Sequence, residues 1–146
     1  MQVQFALFAD AANVSQEGKL NILGVFDALH VGQLPSLHPR ATFVVRLKAV
    51  ADDHGPHGVG LEWTSPGGTL LWSSRGELLV GEPPDGTEGI DVPLLAVIDL
   101  PLDMPGIYTM IVSIDDAEAS RTSLHVNQVL ESMLPLAPAA PAGLLS

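Results

Sequence analysis

Up to residue 127 the chain is written in short apolar runs of two-residue alternation, each closed by Gly, Pro, Asn or Asp. Successive side chains of a strand point to opposite faces, so this pattern folds as strands with one face buried and the other solvated. Ala41, Phe43, Val45, Leu47 and Ala49 form one such face. Ile90, Val92, Leu94, Ala96, Ile98 and Leu100 form another, and Tyr108, Met110, Val112 and Ile114 a third. Shorter faces are Val3, Phe5, Leu7 and Ala9; Leu20, Ile22 and Phe26; Val59, Leu61 and Trp63; and Leu70, Trp72, Leu78 and Val80. Ala119 to Val126 supplies the last strand. Ser65-Pro66-Gly67-Gly68 and Asp115-Asp116 are turn signals between strands. No helical period precedes residue 127, which excludes doubly wound α/β folds and their nucleotide crevices.

The fold expected is therefore all-β, an antiparallel β-sandwich of seven to eight strands. Residues 1–127 form the sandwich domain. Residues 128–146 read as a short helical turn, N-capped by Asn127, then a Pro/Ala-rich tail that is either a frayed terminus or a docking peptide. The chain has 146 residues and no cysteine, so it is one domain held by packing without disulfides or thiolate chemistry. Asp103 to Tyr108 is similar to the tyrosine corner of immunoglobulin-like sandwiches, with one more residue between Asp and Tyr. Met110 stands where those domains carry a disulfide cysteine, so the likeness is immunoglobulin-like in architecture only.

Six Lys and Arg face seventeen Asp and Glu, a formal charge of −11. Such a field repels nucleic acid and anionic membranes and favours basic partners or cations. Charged residues are 16% of the chain, below the usual ~25%, and a less polar surface favours an interface. The N-terminus lacks the basic segment of a signal peptide, and no apolar run reaches bilayer length. A cytoplasmic location is expected.

Polar clusters are few. Asp52, Asp53, His54 and His57 are metal-ligating types, but Gly55 and Pro56 mark a surface loop without preorganised geometry, so no metal and no cofactor are expected. Glu82, Asp85, Glu88 and Asp91 lie in a Pro/Gly-rich loop without calcium-loop spacing and read as solvated acid. Arg40, Arg46 and Lys48 share the outer face of one strand, either as an anion site or paired with carboxylates such as Glu62. Trp63 and Trp72 align with apolar faces and read as core, not as stacking platforms. No nucleophile elbow or phosphate loop is present, so the chain is not expected to be an enzyme.

The most distinctive block is Ala9-Asp10-Ala-Ala-Asn13-Val-Ser15-Gln-Glu17-Gly18-Lys19-Leu20-Asn21-Ile22-Leu23-Gly24-Val-Phe26-Asp27, followed by Leu34-Pro35-Ser-Leu-His38-Pro39-Arg40. It resembles an uncharacterised bacterial family, a domain of unknown function. Pro105-Gly106-Ile107-Tyr108 through Ile114-Asp115 is similar to that family's last hairpin. The resemblance spans most of residues 1–127 and implies the fold, a bacterial source and the cytoplasm, with no activity attached. Asp10, Asn13, Asn21, Asp27 and His38 are the polar residues of the block and the candidates for a binding site; the alternative is that they satisfy turn backbone. The function expected is a non-enzymatic protein-interaction or structural module. It would act by strand-edge pairing or face-to-face association, with a partner protein or a second copy, through exposed Leu95 and Val97. Two alternatives are a small-ligand or divalent-cation site on the acidic loops, and a hydrolase requiring a pocket where a His and a carboxylate converge.

Overall fold

The computed structural model describes residues 1–129. It holds nine strands: β1 (Gln2–Val14), β2 (Leu20–Phe26), β3 (Ala28–Val31), β4 (Ser36–Ala49), β5 (Gly55–Thr64), β6 (Leu70–Val80), β7 (Ile90–Leu102), β8 (Gly106–Ile114) and β9 (Ala117–Gln128). They form a four-stranded sheet, β2-β1-β4-β7, and a five-stranded sheet, β3-β9-β8-β5-β6. Across the layers β9 meets β1 and β6 meets β7. The expected all-β sandwich is present.

The core lies between the sheets. Phe43, Leu47 and Leu100 come from one layer, Trp63, Tyr108, Met110 and Leu124 from the other. The Trp63 and Tyr108 rings stack at 5.2 Å, and Phe8 meets the Trp63 edge at 5.6 Å. Trp63 Nε1–H donates to the Pro101 carbonyl at 2.9 Å, so the indole is buried with its one donor satisfied. The Tyr108 corner forms: the hydroxyl accepts the N–H groups of Asp103 (2.8 Å) and Met104 (2.9 Å). Its own proton goes to the Asp103 carboxylate or the Met104 carbonyl.

The turns follow their signals. Gly68 N–H donates to the Ser65 carbonyl at 2.9 Å with Gly68 at φ 88°. Asp115 and Asp116 take φ 51° and 66°, the left-handed pair that a two-residue hairpin needs and that Asp tolerates.

Several expectations are corrected. Ala28–Val31 is a strand that the alternation did not reveal, and it pairs parallel with β9, so the sandwich is not wholly antiparallel. β2 and β3 are nearly continuous, one in each sheet, with the Asp27 carbonyl accepting His125 N–H at 2.9 Å at the crossing. The same pairing removes the helical turn at Asn127. Asn127 and Gln128 continue β9 opposite His30 and Val31, because the ladder satisfies backbone groups that a capped single turn would leave open. The rest of the expected turn and the tail lie outside the described residues. In β1, a bulge between Val3 and Phe5 reverses the phase. Val3, Ala6 and Phe8 then pack on the core, while Phe5 lines a cavity with Arg46 and Pro93 on the other face. The four residues Val3, Phe5, Leu7 and Ala9 therefore do not share one face.

Leu20 and Ile22 line that same cavity. Leu20 pairs with Val14 at the far end of β1, roughly 30 Å from Phe5 if β1 were straight. The β1–β2 hairpin must curl back over the outer face of the four-stranded sheet. On that face Val44 is fully buried although it points away from the core, opposite Leu7 and Leu95 in the neighbouring strands.

Candidate functional site

The two lateral sides of the sandwich differ. On one, β2 runs directly into β3 and ties the layers together. On the other, β6 and β7 are both edge strands, joined only by the loop from Gly81 to Gly89 at one end. Each leaves one row of backbone N–H and C=O groups without a strand partner.

A cleft of about 200 Å³ opens between these two edges. Its origin is local sequence. The inward positions of β6 are those opposite Trp63, Leu61, Val59 and His57, namely Trp72, Ser74, Gly76 and Leu78. Ser74 and Gly76 place almost no side chain where neighbouring positions place Trp and Leu. The cleft is therefore lined by apolar residues: Val59 and Leu61 of β5 and Leu94 and Ala96 of β7, with the almost fully buried Phe43 and Val45 of β4 at its base. A Cβ built on Gly76 meets nothing within 4 Å. Ser74, Arg75 and Glu77 edge the mouth. Leu95 borders the cleft too, although its side chain lies on the outer face with Val44; its main chain is what faces the opening. Pro93 and Pro101 share the parity of Leu95 along β7, the pattern expected where the side without N–H faces a free edge. Leu95 and Val97 are 38% and 59% exposed.

A second polar cluster lies at the β5 start. His57 Nδ1 meets the Asp115 carboxylate at 2.6 Å and Nε2 meets the Asp53 carbonyl at 2.6 Å. Both partners are acceptors, so the arrangement favours the protonated ring, which donates from both nitrogens. The Asp115 hydrogen bond, then that to Asp53, hold its pKa above the ordinary value. Asp53 in turn accepts Val50 N–H at 2.8 Å and the Met1 ammonium at 3.2 Å. A His and a carboxylate thus converge, with both ring nitrogens already engaged in hydrogen bonds.

A model of DUF6941, a family of unknown function, matches residues 4–127. The chain belongs to this family. Among curated proteins no match is found. Among solved structures, Pseudomonas fluorescens alkylpurine DNA glycosylase AlkC, bound to DNA containing an abasic site analog, is similar at 9% identity and TM-score 0.35. That alignment covers 84% of this chain and 30% of the glycosylase.

The polar residues of the family block do not assemble into one site in this DUF6941 member. Asn21 Nδ2 donates to Asn13 Oδ1 at 2.9 Å across the β1–β2 hairpin. Asp10 packs on Gly24, where a Cβ would sit 2.2 Å from Oδ2. His38 packs its ring on Phe26, 5.6 Å between centroids. Asp27 sits at the β2–β3 crossing. Ser15 closes the hairpin, its Oγ accepting Lys19 N–H at 3.1 Å. Of Asp52, Asp53, His54 and His57, only Asp53 and His57 meet, and among the described residues no three ligating side chains could hold a metal ion. Glu82, Asp85 and Glu88 are exposed in the β6–β7 loop without convergence. Asp91 instead bonds Arg46 and lies 3.6 Å from Lys48, which lowers its pKa. The partner of these bases is on adjacent β7, not Glu62, which belongs to the other sheet. Arg40 leaves their row: it sits in a bulge at φ 52°, its N–H bound to Asp99 at 2.9 Å. Among the described residues no helix is long and apolar enough to cross a membrane.

The cleft is the feature that sequence reading missed. Its signal was the break in alternation at Ser73-Ser74-Arg75-Gly76-Glu77, where a strand with apolar ends has no inward apolar residue.

Proposed function

We propose that this protein is a non-enzymatic interaction module that binds an extended segment of a partner polypeptide at the β6–β7 cleft. The observation that carries the reading is an apolar cavity lying between two unpaired strand edges. An added strand finds hydrogen-bond partners on the edge and a pocket for an inward side chain, the two elements of recognition by strand addition. A cavity of this size accepts a benzene-sized group. Leu95 and Val97, on the outer side of β7, extend the contact. The absence of cysteine suits a reducing compartment, and we place the module in the bacterial cytoplasm.

The test is affinity capture from source cells with wild type and Gly76→Leu side by side. Gly76 has open space and no positive φ, so leucine fills the cleft from within. The variant should be more stable by about 1–3 kcal/mol, from apolar burial and loss of glycine flexibility. A stoichiometric partner held by wild type and lost by the better-folded variant supports the reading. A partner held equally by both, a second copy binding elsewhere, or none at all overturns it.

A further inference from the structure

We infer that the segment bound is extended, carries one large apolar side chain, preferably aromatic, and continues toward its C-terminus into basic residues. This rests on the reading of the cleft as a strand-addition site, and goes beyond it in naming the partner's chemistry.

The inward side chain is dictated by depth. Phe43 and Val45 lie on β4, one strand beyond the β7 edge. A strand laid on that edge reaches them only with a long side chain, pointing the same way as Leu94 and Ala96 on β7. A short or polar one would leave the floor wet or bury an unpaired group.

Direction and charge follow from topology. Antiparallel addition is the more stable pairing, so the partner's C-terminal half runs toward the start of β7 at Ile90. There the Gly81–Gly89 loop carries Glu82, Asp85 and Glu88, all exposed and, among the described residues, in no ion pair. No Lys or Arg occurs between Arg75 and Arg121. The loop at this end of the free edge is thus acidic, on a chain of net charge −11, while the nearby bases are already paired, Arg46 and Lys48 with Asp91 and Arg75 with Asp116. A second copy is disfavoured as the occupant: in an antiparallel β7–β7 pair each acidic loop would meet the Asp99–Asp103 end of the other copy's strand, which carries no Lys or Arg to neutralise it. Lysines three to five residues past the anchor lie roughly 10–17 Å from it and reach the loop.

The probe is a blocked peptide, Thr-Thr-Val-Thr-Phe-Thr-Thr-Lys-Lys-Lys, compared with the same peptide ending Glu-Glu-Glu and with Phe replaced by Ser. Binding to the full chain is measured by calorimetry, and amide shifts locate the contact. The basic peptide should bind about tenfold more tightly than the acidic one at low salt, the sum of three modest ion pairs. The difference should shrink at about 0.5 M salt. Shifts should centre on Leu95, Val97 and Asp99, and both Gly76→Leu and Ser74→Leu should abolish binding while melting no lower than wild type. Equal binding of basic and acidic peptides overturns the charge inference and leaves the cleft reading intact. Equal binding of the Phe and Ser peptides, binding unaffected by both filled variants, or no binding of any peptide overturns both.

Discussion

Single side chains set two measurable properties. The hydrogen bonds of His57 to Asp115 and to the Asp53 carbonyl favour its cation and raise its pKa above 6.5. Its contribution to stability is complete below the unfolded value of 6.5 and is lost as pH rises through the higher folded value. Asp115 has the opposite sign: its pKa is lowered from 3.8 chiefly by the His57 hydrogen bond, so its contribution is present above 3.8 and lost as pH falls through the folded value. Urea midpoints should therefore be higher at pH 5.5 than at pH 8.5, and His57→Gln should flatten that alkaline decline. A decline of equal size in the variant would remove His57 as the cause. At the Tyr108 corner, Tyr108→Phe removes the buried hydroxyl that accepts the part-buried N–H groups of Asp103 and Met104 and donates to Asp103 or the Met104 carbonyl. A loss of about 1–3 kcal/mol is expected in urea denaturation. Asp103 and Tyr108 were legible as a corner because their roles depend on residues a few positions apart. His57 was read as a possible ligand, since nothing local shows that Asp115, on the β8–β9 turn, arrives at its ring.

Elements depend on phase and on backbone conformation. The β1–β2 ribbon turns sharply near Gly24, at φ 70° with Asp10 packed against it. Gly24→Ala places a Cβ into both strain and the Asp10 carboxylate; a cost of about 1–3 kcal/mol is expected. Adding Asp10→Ala should recover the steric part and not the part due to φ, so the double variant should fall between wild type and the single. Full additivity of the two would separate Asp10 from the effect. The alternation read β4, β7 and β8 correctly because each keeps its phase through the core. It misread β1 because a bulged residue moves every later side chain to the other face. It missed β3 because four residues are too few to show a period, and a parallel partner contributed by β9 is a contact between distant parts of the chain.

At the scale of the whole molecule, one lateral side is closed by chain continuity and the other is open. Ser73 to Glu77 has pairing with β5 but no inward apolar anchor, so it should be the least protected strand segment in hydrogen exchange, and β4 and β8 the most. Uniform protection across β6 would argue that the cleft is collapsed in solution. Two-residue alternation, the placement of Gly and Pro, and the excess of acid determined by themselves that this chain is a β-sandwich with an acidic surface. Those are local quantities: which face of a strand is apolar depends on nearest neighbours in sequence, and charge is a count. Which strands become edges, where the bulge falls, and what the small residues of β6 uncover were decided only by tertiary structure. The cleft exists because Ser74 and Gly76 happen to lie over Leu61 and Val59 and opposite β7, a juxtaposition set by sheet order and packing across the layers.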